Sequence, residues 1–212
     1  MTPSLRWAFG SFFFLYFAYV GLVSPYASLF FLDRGFGVIE IAVLMSMLQI
    51  TRIVGPFSWG WLSDFLSNRI GIIRMCACLA ALVFLSIYFL QSYIGFFIWM
   101  FVLHTILSSL MPLGESATVH ALFKDNSFDQ RYGRLRLWGS LGFIFMVLAA
   151  GELFQRKSIE LYPLVGTIVL LLLALVTFLL HEPKMERRKM VKGELLIVLL
   201  NPDVRWFLLS GF

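Results

Sequence analysis

Six long apolar runs separated by short polar gaps organise this chain, at residues 7–32, 39–62, 70–90, 94–119, 137–153 and 161–180. Most are long enough to cross the roughly 30 Å hydrocarbon core of a bilayer as helices. Helices suit that setting because each satisfies its own backbone hydrogen bonds. The fifth run is the shortest, and its helix is expected to begin at Leu135 or to continue into Glu152–Phe154. The pattern predicts an all-α membrane protein with six transmembrane helices.

Basic residues gather in every second gap. Arg34, Arg156 and Lys157 fall on one side of the predicted membrane and Arg52 falls inside the second run, while every other Lys and Arg falls on the opposite side. The positive-inside rule makes that richer side cytoplasmic and places both termini there.

The tail breaks the pattern. Residues 181–194, HEPKMERRKMVKGE, are charged and amphipathic, LLIVLL follows, and NPDVRWFLLSGF opens another apolar run that stops at residue 212. The expected organisation is a six-helix bundle over 1–182, a cytoplasmic linker over 183–204, and the start of a truncated seventh helix over 205–212. A short interfacial anchor is the alternative for the last piece.

Composition supports lipid as the solvent. Of the 212 residues, 60% are hydrophobic and 14% charged, and 23 are Phe; charged residues make up roughly a quarter of an average soluble domain. The net charge of +5 follows from topology better than from nucleic-acid binding. Cys76 and Cys78 are two apart on one predicted helix, so they do not share a face. They suggest neither a metal site nor a disulfide. The first run is too long for a signal peptide, and five similar runs follow it.

Arg52 is the most informative single position. It sits near the middle of MSMLQITRIVGPFSWG, about 20 Å from the start of the second helix at 1.5 Å per residue. A guanidinium there is costly unless it faces water or a partner. An anionic solute or a carboxylate explains it better than snorkelling does. Gln49, three residues earlier, shares its face. Glu115 is the natural counterpart, late in the fourth helix, where Pro112 and Gly114 loosen the backbone. A partly buried carboxylate there is a candidate proton carrier, since burial favours its neutral form. Contact between Glu115 and Arg52 is left open, because Glu115 lies about 10 Å deeper toward the cytoplasm.

The first helix carries Tyr16, Tyr19, Gly21, Ser24, Pro25 and Tyr26. Tyr19 and Tyr26, seven apart, fall on roughly one face and suit a solute-lining role, although Tyr, Gly and Pro are also ordinary in membrane helices. His104 lies eleven residues before Glu115, close to three turns, which allows a proton relay between them; simple packing or one hydrogen bond is the plainer account. Of the other two histidines, His120 is expected at the interface and His181 at a helix end, and no metal-ligand grouping accompanies them.

The turn GWLSDFLSNRIG contains Gly60, Asp64 and Arg69. Gly60 permits close approach of helix ends, and Asp64 is placed either to cap the third helix or to pair with cytoplasmic arginines in a clasp that breaks as helices rock. Arg134 is the candidate partner. Arg131, Arg134 and Arg136 surround Gly133, and lipid headgroups are the other ligand they suit. Trp138 suits the interface. The sequence shows neither a phosphate-cradling glycine loop nor a nucleophile constellation. The expectation is a non-enzyme without cofactors.

Three segments carry a family resemblance: FFFLYFAYVGLVSPYASLFF, QITRIVGPFSWGWLSD and YGRLRLWGS at 132–140. The chain resembles the N-terminal half of a major facilitator superfamily transporter, and GWLSDFLSNRIG is similar to that superfamily's signature between helices 2 and 3, with Phe65 where a basic residue is usual. It is more specifically similar to the phenylpropionate permease group, related to sugar and nucleoside proton symporters. The resemblance implies proton-coupled transport of a small organic solute across a bacterial inner membrane by alternating access, with the site between two six-helix halves. Arg52 favours an aromatic or other carboxylate as that solute. A missing C-terminal half or self-association would cover the open face. The competing expectation is a non-transporting scaffold or an inactive truncated product.

Overall fold

A computed structural model of the chain describes residues 3–66, 68–123 and 128–181. It is an all-α, six-helix membrane bundle. The helices are α1 (Pro3–Asp33), α2 (Val38–Leu66), α3 (Arg69–Leu85), α4 (Tyr93–Leu107), α5 (Leu110–Phe123), α6 (Phe128–Arg156) and α7 (Tyr162–Thr177). Together α4 and α5 make the fourth crossing. The linker and seventh-helix readings lie outside the described residues.

Local chemistry sets the boundaries. Gly35 has φ 87°, a left-handed turn conformation that glycine adopts without strain, and it reverses the chain between α1 and α2. Glu40 then accepts a hydrogen bond from the Gly37 N–H at 2.8 Å. The cap of α3 is Asn68, whose Oδ1 accepts from Gly71 N at 2.9 Å. Asp64 lies within α2, so the N-cap position of α3 belongs to Asn68. Ser92 caps α4 in the same way. The third run ends in a 3₁₀ turn over Ser86–Phe89. In the fifth run, α6 extends past both expected ends.

The fourth run is broken at Ser108–Ser109. Pro112 has no N–H to offer the Ser108 carbonyl, and its ring crowds the residue four before it. The backbone tightens there, with Ser109 N donating to Ile106 O at 3.3 Å.

The bundle is built around α1, which contacts α6, α7, α2 and α5. Phe9, Phe12, Phe13, Leu22, Phe30 and Phe31 on α1 are fully buried. Its contact with α6 is the closest. A Cβ at Gly21 would lie 2.7 Å from the Phe143 carbonyl oxygen, and one at Gly142 would strike the Phe14 carbonyl. Small residues let membrane helices approach to backbone contact in this way. At one end of the bundle, Phe30 stacks on Tyr162 at 4.9 Å, and Phe31 and Phe36 meet Phe96 edge-on. Large apolar side chains such as Leu82, Leu148 and Leu175 point outward, as lipid permits.

Arg74 ties α3 to the end of α7. Its guanidinium donates to the carbonyls of Thr177 (3.2 Å), Phe178 (3.4 Å) and Leu180 (2.6 Å). They lie at and just past the C-terminus of α7, where helix carbonyls run short of intrahelical partners and a cation complements the helix dipole. Arg74→Ala is expected to destabilise the bundle by about 1–3 kcal/mol. Thermal unfolding in detergent checks this, with Arg74→Lys recovering part of the loss.

Candidate functional site

Three helices line a partly open cavity of about 260 Å³. From α1 come Tyr16, Tyr19 and Ser24, and from α2 Gln49, Thr51 and Arg52. His104, Leu107 and Ser108 come from the fourth crossing, and Val20, Val23, Met45 and Leu48 complete an apolar lining. Polar groups of both hydrogen-bonding senses therefore face one another across an apolar throat.

Arg52 lies fourteen residues into α2, about 21 Å along its axis. Its Nη1 donates to Gln49 Oε1 at 3.5 Å. Among the described residues, no carboxylate lies within ion-pair distance of it. Its donors are open to the cavity.

His104 is buried, and its tautomer follows from its contacts. Nδ1 is 2.9 Å from the Met100 carbonyl oxygen, which only accepts, so Nδ1 carries the hydrogen. In the neutral ring Nε2 is then an acceptor, and it lies 3.4 Å from Tyr19 Oη.

The helix break frees backbone groups beside the cavity. Thr105 O accepts from Ser108 Oγ at 2.7 Å and from Trp59 Nε1 at 2.8 Å. Irregular backbone at membrane depth is tolerated where protein or a cavity satisfies it. Gly55 lets α2 approach, since a Cβ there would collide with Ser108.

Glu115 is placed elsewhere. It pairs with Arg136 Nη1 of α6. It contacts neither Arg52 nor His104. Tyr16 lies between, within electrostatic reach of both Arg52 and Glu115.

The MFS_1 like family matches residues 6–212. The chain belongs to that family. It is 30% identical over 146 residues to the maltose permease of Geobacillus stearothermophilus, covering 68% of this chain and 36% of that protein. It is 27% identical over 125 residues to the uncharacterized transporter YwbF of Bacillus subtilis (strain 168), covering 59% and 30%. The fold matches the crystal structure of the nucleoside transporter NupG (D323A mutant) with TM-score 0.80 at 16% identity, covering 96% of this chain and 51% of that one. The NupG structure without that substitution gives 0.77 at 18% identity. The matched residues thus cover about half of NupG and about a third of each of the two curated relatives. Family and fold give the multi-pass membrane architecture of a transporter and not that of an enzyme.

Within this MFS_1 like fold, Arg52, Gln49, Tyr19 and His104 come together at one cavity. Tyr26 does not join them. Its hydroxyl donates to Val147 O of α6 at 2.7 Å, and its ring meets Phe154 edge-on at 5.1 Å. On this side of α1 the neighbour is His104 of α4 at Tyr19 but Val147 and Phe154 of α6 at Tyr26. It lines a separate crevice with Asp33 and Gln155. Gly60 and Asp64 lie in the last turns of α2; their contacts, and the clasp with Arg134, fall outside the described residues. Arg134 is exposed, and Arg69 opens α3.

Tyr16, Thr51 and Ser108 line the cavity without having been singled out for it. Tyr16 had a readable signal, three residues before Tyr19 and so on a neighbouring position of the same face. Ser108 had one too, four residues before Pro112. Arg136 was read as a headgroup ligand, and its pairing with Glu115 depends on how α5 and α6 are rotated.

Proposed function

We propose that this chain forms one six-helix half of a proton-coupled secondary transporter for a small aromatic carboxylate, working by alternating access. The observation that carries this reading is Arg52. It is deep in the membrane, unpaired with any described carboxylate, and presents its donors to a closed wall of Gln49, Tyr19 and His104. Guanidinium suits a carboxylate through two parallel hydrogen bonds. The apolar lining and the Tyr16 and Tyr19 rings suit the aromatic part of such a solute. Gln49 and Tyr19 orient it, and His104 is the proton-binding group. Glu115 is assigned to the tie between α5 and α6.

The opposite wall is proposed to be a second six-helix half, in keeping with the half-length match to NupG, with a second copy of this chain as the alternative. Exposed apolar side chains of α2 (Ile50, Ile53) and α6 (Leu141, Ile144, Leu148) are available to meet it. Both chain termini are proposed to be cytoplasmic in a bacterial inner membrane, from the distribution of basic residues.

A second reading is a neutral polyhydroxyl solute, favoured by the names of the maltose permease and NupG relatives. One uptake experiment separates the two. Proteoliposomes holding the intact protein receive labelled 3-phenylpropionate, uridine or maltose, with and without an inward proton gradient. Gradient-driven, saturable uptake of 3-phenylpropionate is expected. Saturable uptake of uridine or maltose, with none of the acid, replaces the carboxylate reading. No uptake of any of them returns the scaffold reading.

A further inference from the structure

Resting on the carboxylate reading of Arg52, we infer that Ser24 is a specificity-determining residue at the far end of the cavity, where it selects an aromatic acid carrying a phenolic hydroxyl para to its acid chain. The cavity is long, and its lining gives the length. On α1 it runs from Tyr16 to Ser24, eight residues or about 12 Å of helix. On α2 it runs from Met45 to Arg52, seven residues or about 10 Å. Consecutive crossings run in opposite directions, so Ser24 and Met45 share one end, and Tyr16 and Arg52 share the other. The electrostatic reach of Arg52 to Tyr16 agrees with that pairing. Between the ends the walls are apolar, from Val20, Val23, Leu48 and Leu107.

Three aliphatic hydroxyls line this space, and they differ in one respect. Thr51 Oγ1 donates to Met47 O at 2.8 Å, and Ser108 Oγ donates to Thr105 O at 2.7 Å. Such bonding back to the preceding turn is the local outlet for a hydroxyl inside a helix. Ser24 does not take it, although the Val20 carbonyl stands four residues before it. Ser24 is exposed on the lining, and among the described residues its hydroxyl has no hydrogen-bond partner. It keeps one donor and two acceptor sites for whatever occupies the cavity. A charged end, an apolar middle and a hydroxyl end match a carboxylate, a ring and a phenol in that order. The para position lies on the long axis of such an acid, on the side away from the carboxylate. An unsubstituted ring would cover Ser24 with carbon and leave its hydroxyl unpaired, and a site that offers a hydrogen bond discriminates against the analogue that lacks it.

The test is calorimetric titration of three acids into the intact protein in lipid nanodiscs at one pH: 3-phenylpropionate, 3-(4-hydroxyphenyl)propionate and 3-(4-methylphenyl)propionate. The methyl group fills the space of the hydroxyl without hydrogen bonding. The hydroxylated acid is expected to bind about 2- to 10-fold more tightly than either of the others, the worth of one net hydrogen bond. Ser24→Ala is expected to remove that preference, bringing the hydroxylated and methylated acids to the same affinity. The fold should accept the change, because the Ser24 hydroxyl makes no internal bond and alanine favours helix; thermal unfolding checks this. A wild type that binds the hydroxylated acid no more tightly than the methylated one overturns the role of Ser24. The same preference surviving in Ser24→Ala overturns it too. Either result, with 3-phenylpropionate still bound, leaves the Arg52 site standing. Absence of binding by all three acids sinks the carboxylate reading and the role of Ser24 with it.

Discussion

Arg52→Gln is expected to lower the uptake of an aromatic monocarboxylate by roughly 10- to 150-fold, from the loss of about 1.5–3 kcal/mol of charge-assisted hydrogen bonding. Glutamine keeps a donor and much of the stem but removes the charge and the paired donors. Arg52→Lys restores charge without the planar fork and is expected to recover only part of the loss. The fold should tolerate both changes. In the structure Arg52 is exposed to the cavity and bonds Gln49 at the long distance of 3.5 Å, so few internal contacts disappear. Initial uptake rates of labelled 3-phenylpropionate, normalised to folded protein, provide the measurement. Full uptake by Arg52→Gln would mean that the guanidinium is aimed away from the solute path, and the carboxylate assignment would fall.

Arg52 was legible because hydrocarbon is so intolerant of charge. A single guanidinium in the middle of an apolar run has few destinations, and a cavity is one of them. The crossings were legible for the related reason that backbone in lipid must be helical along its whole length. What escaped was geometry at the scale of one helix turn. Pro112 announced a weak point, but the break falls four residues earlier, where the carbonyl it leaves unpaired lies. Glu115 had several partners open to it in sequence. Choosing Arg136 required knowing how α6 faces α5, and the contact that sets α6 in place is made with α1 through Gly21 and Gly142. Tyr26 was assigned by helical period alone. Period states which face a side chain occupies but not which neighbour stands at that height.

The contact between α1 and α6 gives the second large expected effect, a difference in sign between two identical substitutions on one helix. Gly142 lies against the Phe14 carbonyl, where an added methyl meets backbone that has no rotamer to move to. Gly133, also on α6, is exposed and has nothing within 4 Å of the place a Cβ would take. Gly142→Ala is expected to destabilise by about 1–3 kcal/mol, the usual range for overpacking. Lipid offers no hydrophobic compensation for helices pushed apart, because association there depends on close van der Waals contact. Gly133→Ala is expected to stabilise by about 0.5–1 kcal/mol, because alanine loses less backbone freedom in a helix. Thermal unfolding of both variants in the same detergent gives the comparison, and a cysteine pair across α1 and α6 reports whether their separation grows in Gly142→Ala. Displacing α6 also moves Arg136 away from Glu115, so transport should fall in Gly142→Ala and hold in Gly133→Ala. Stabilisation by both substitutions would show that α1 and α6 do not meet at Gly142, and the wall that positions Tyr16 and Tyr19 would have to be rebuilt.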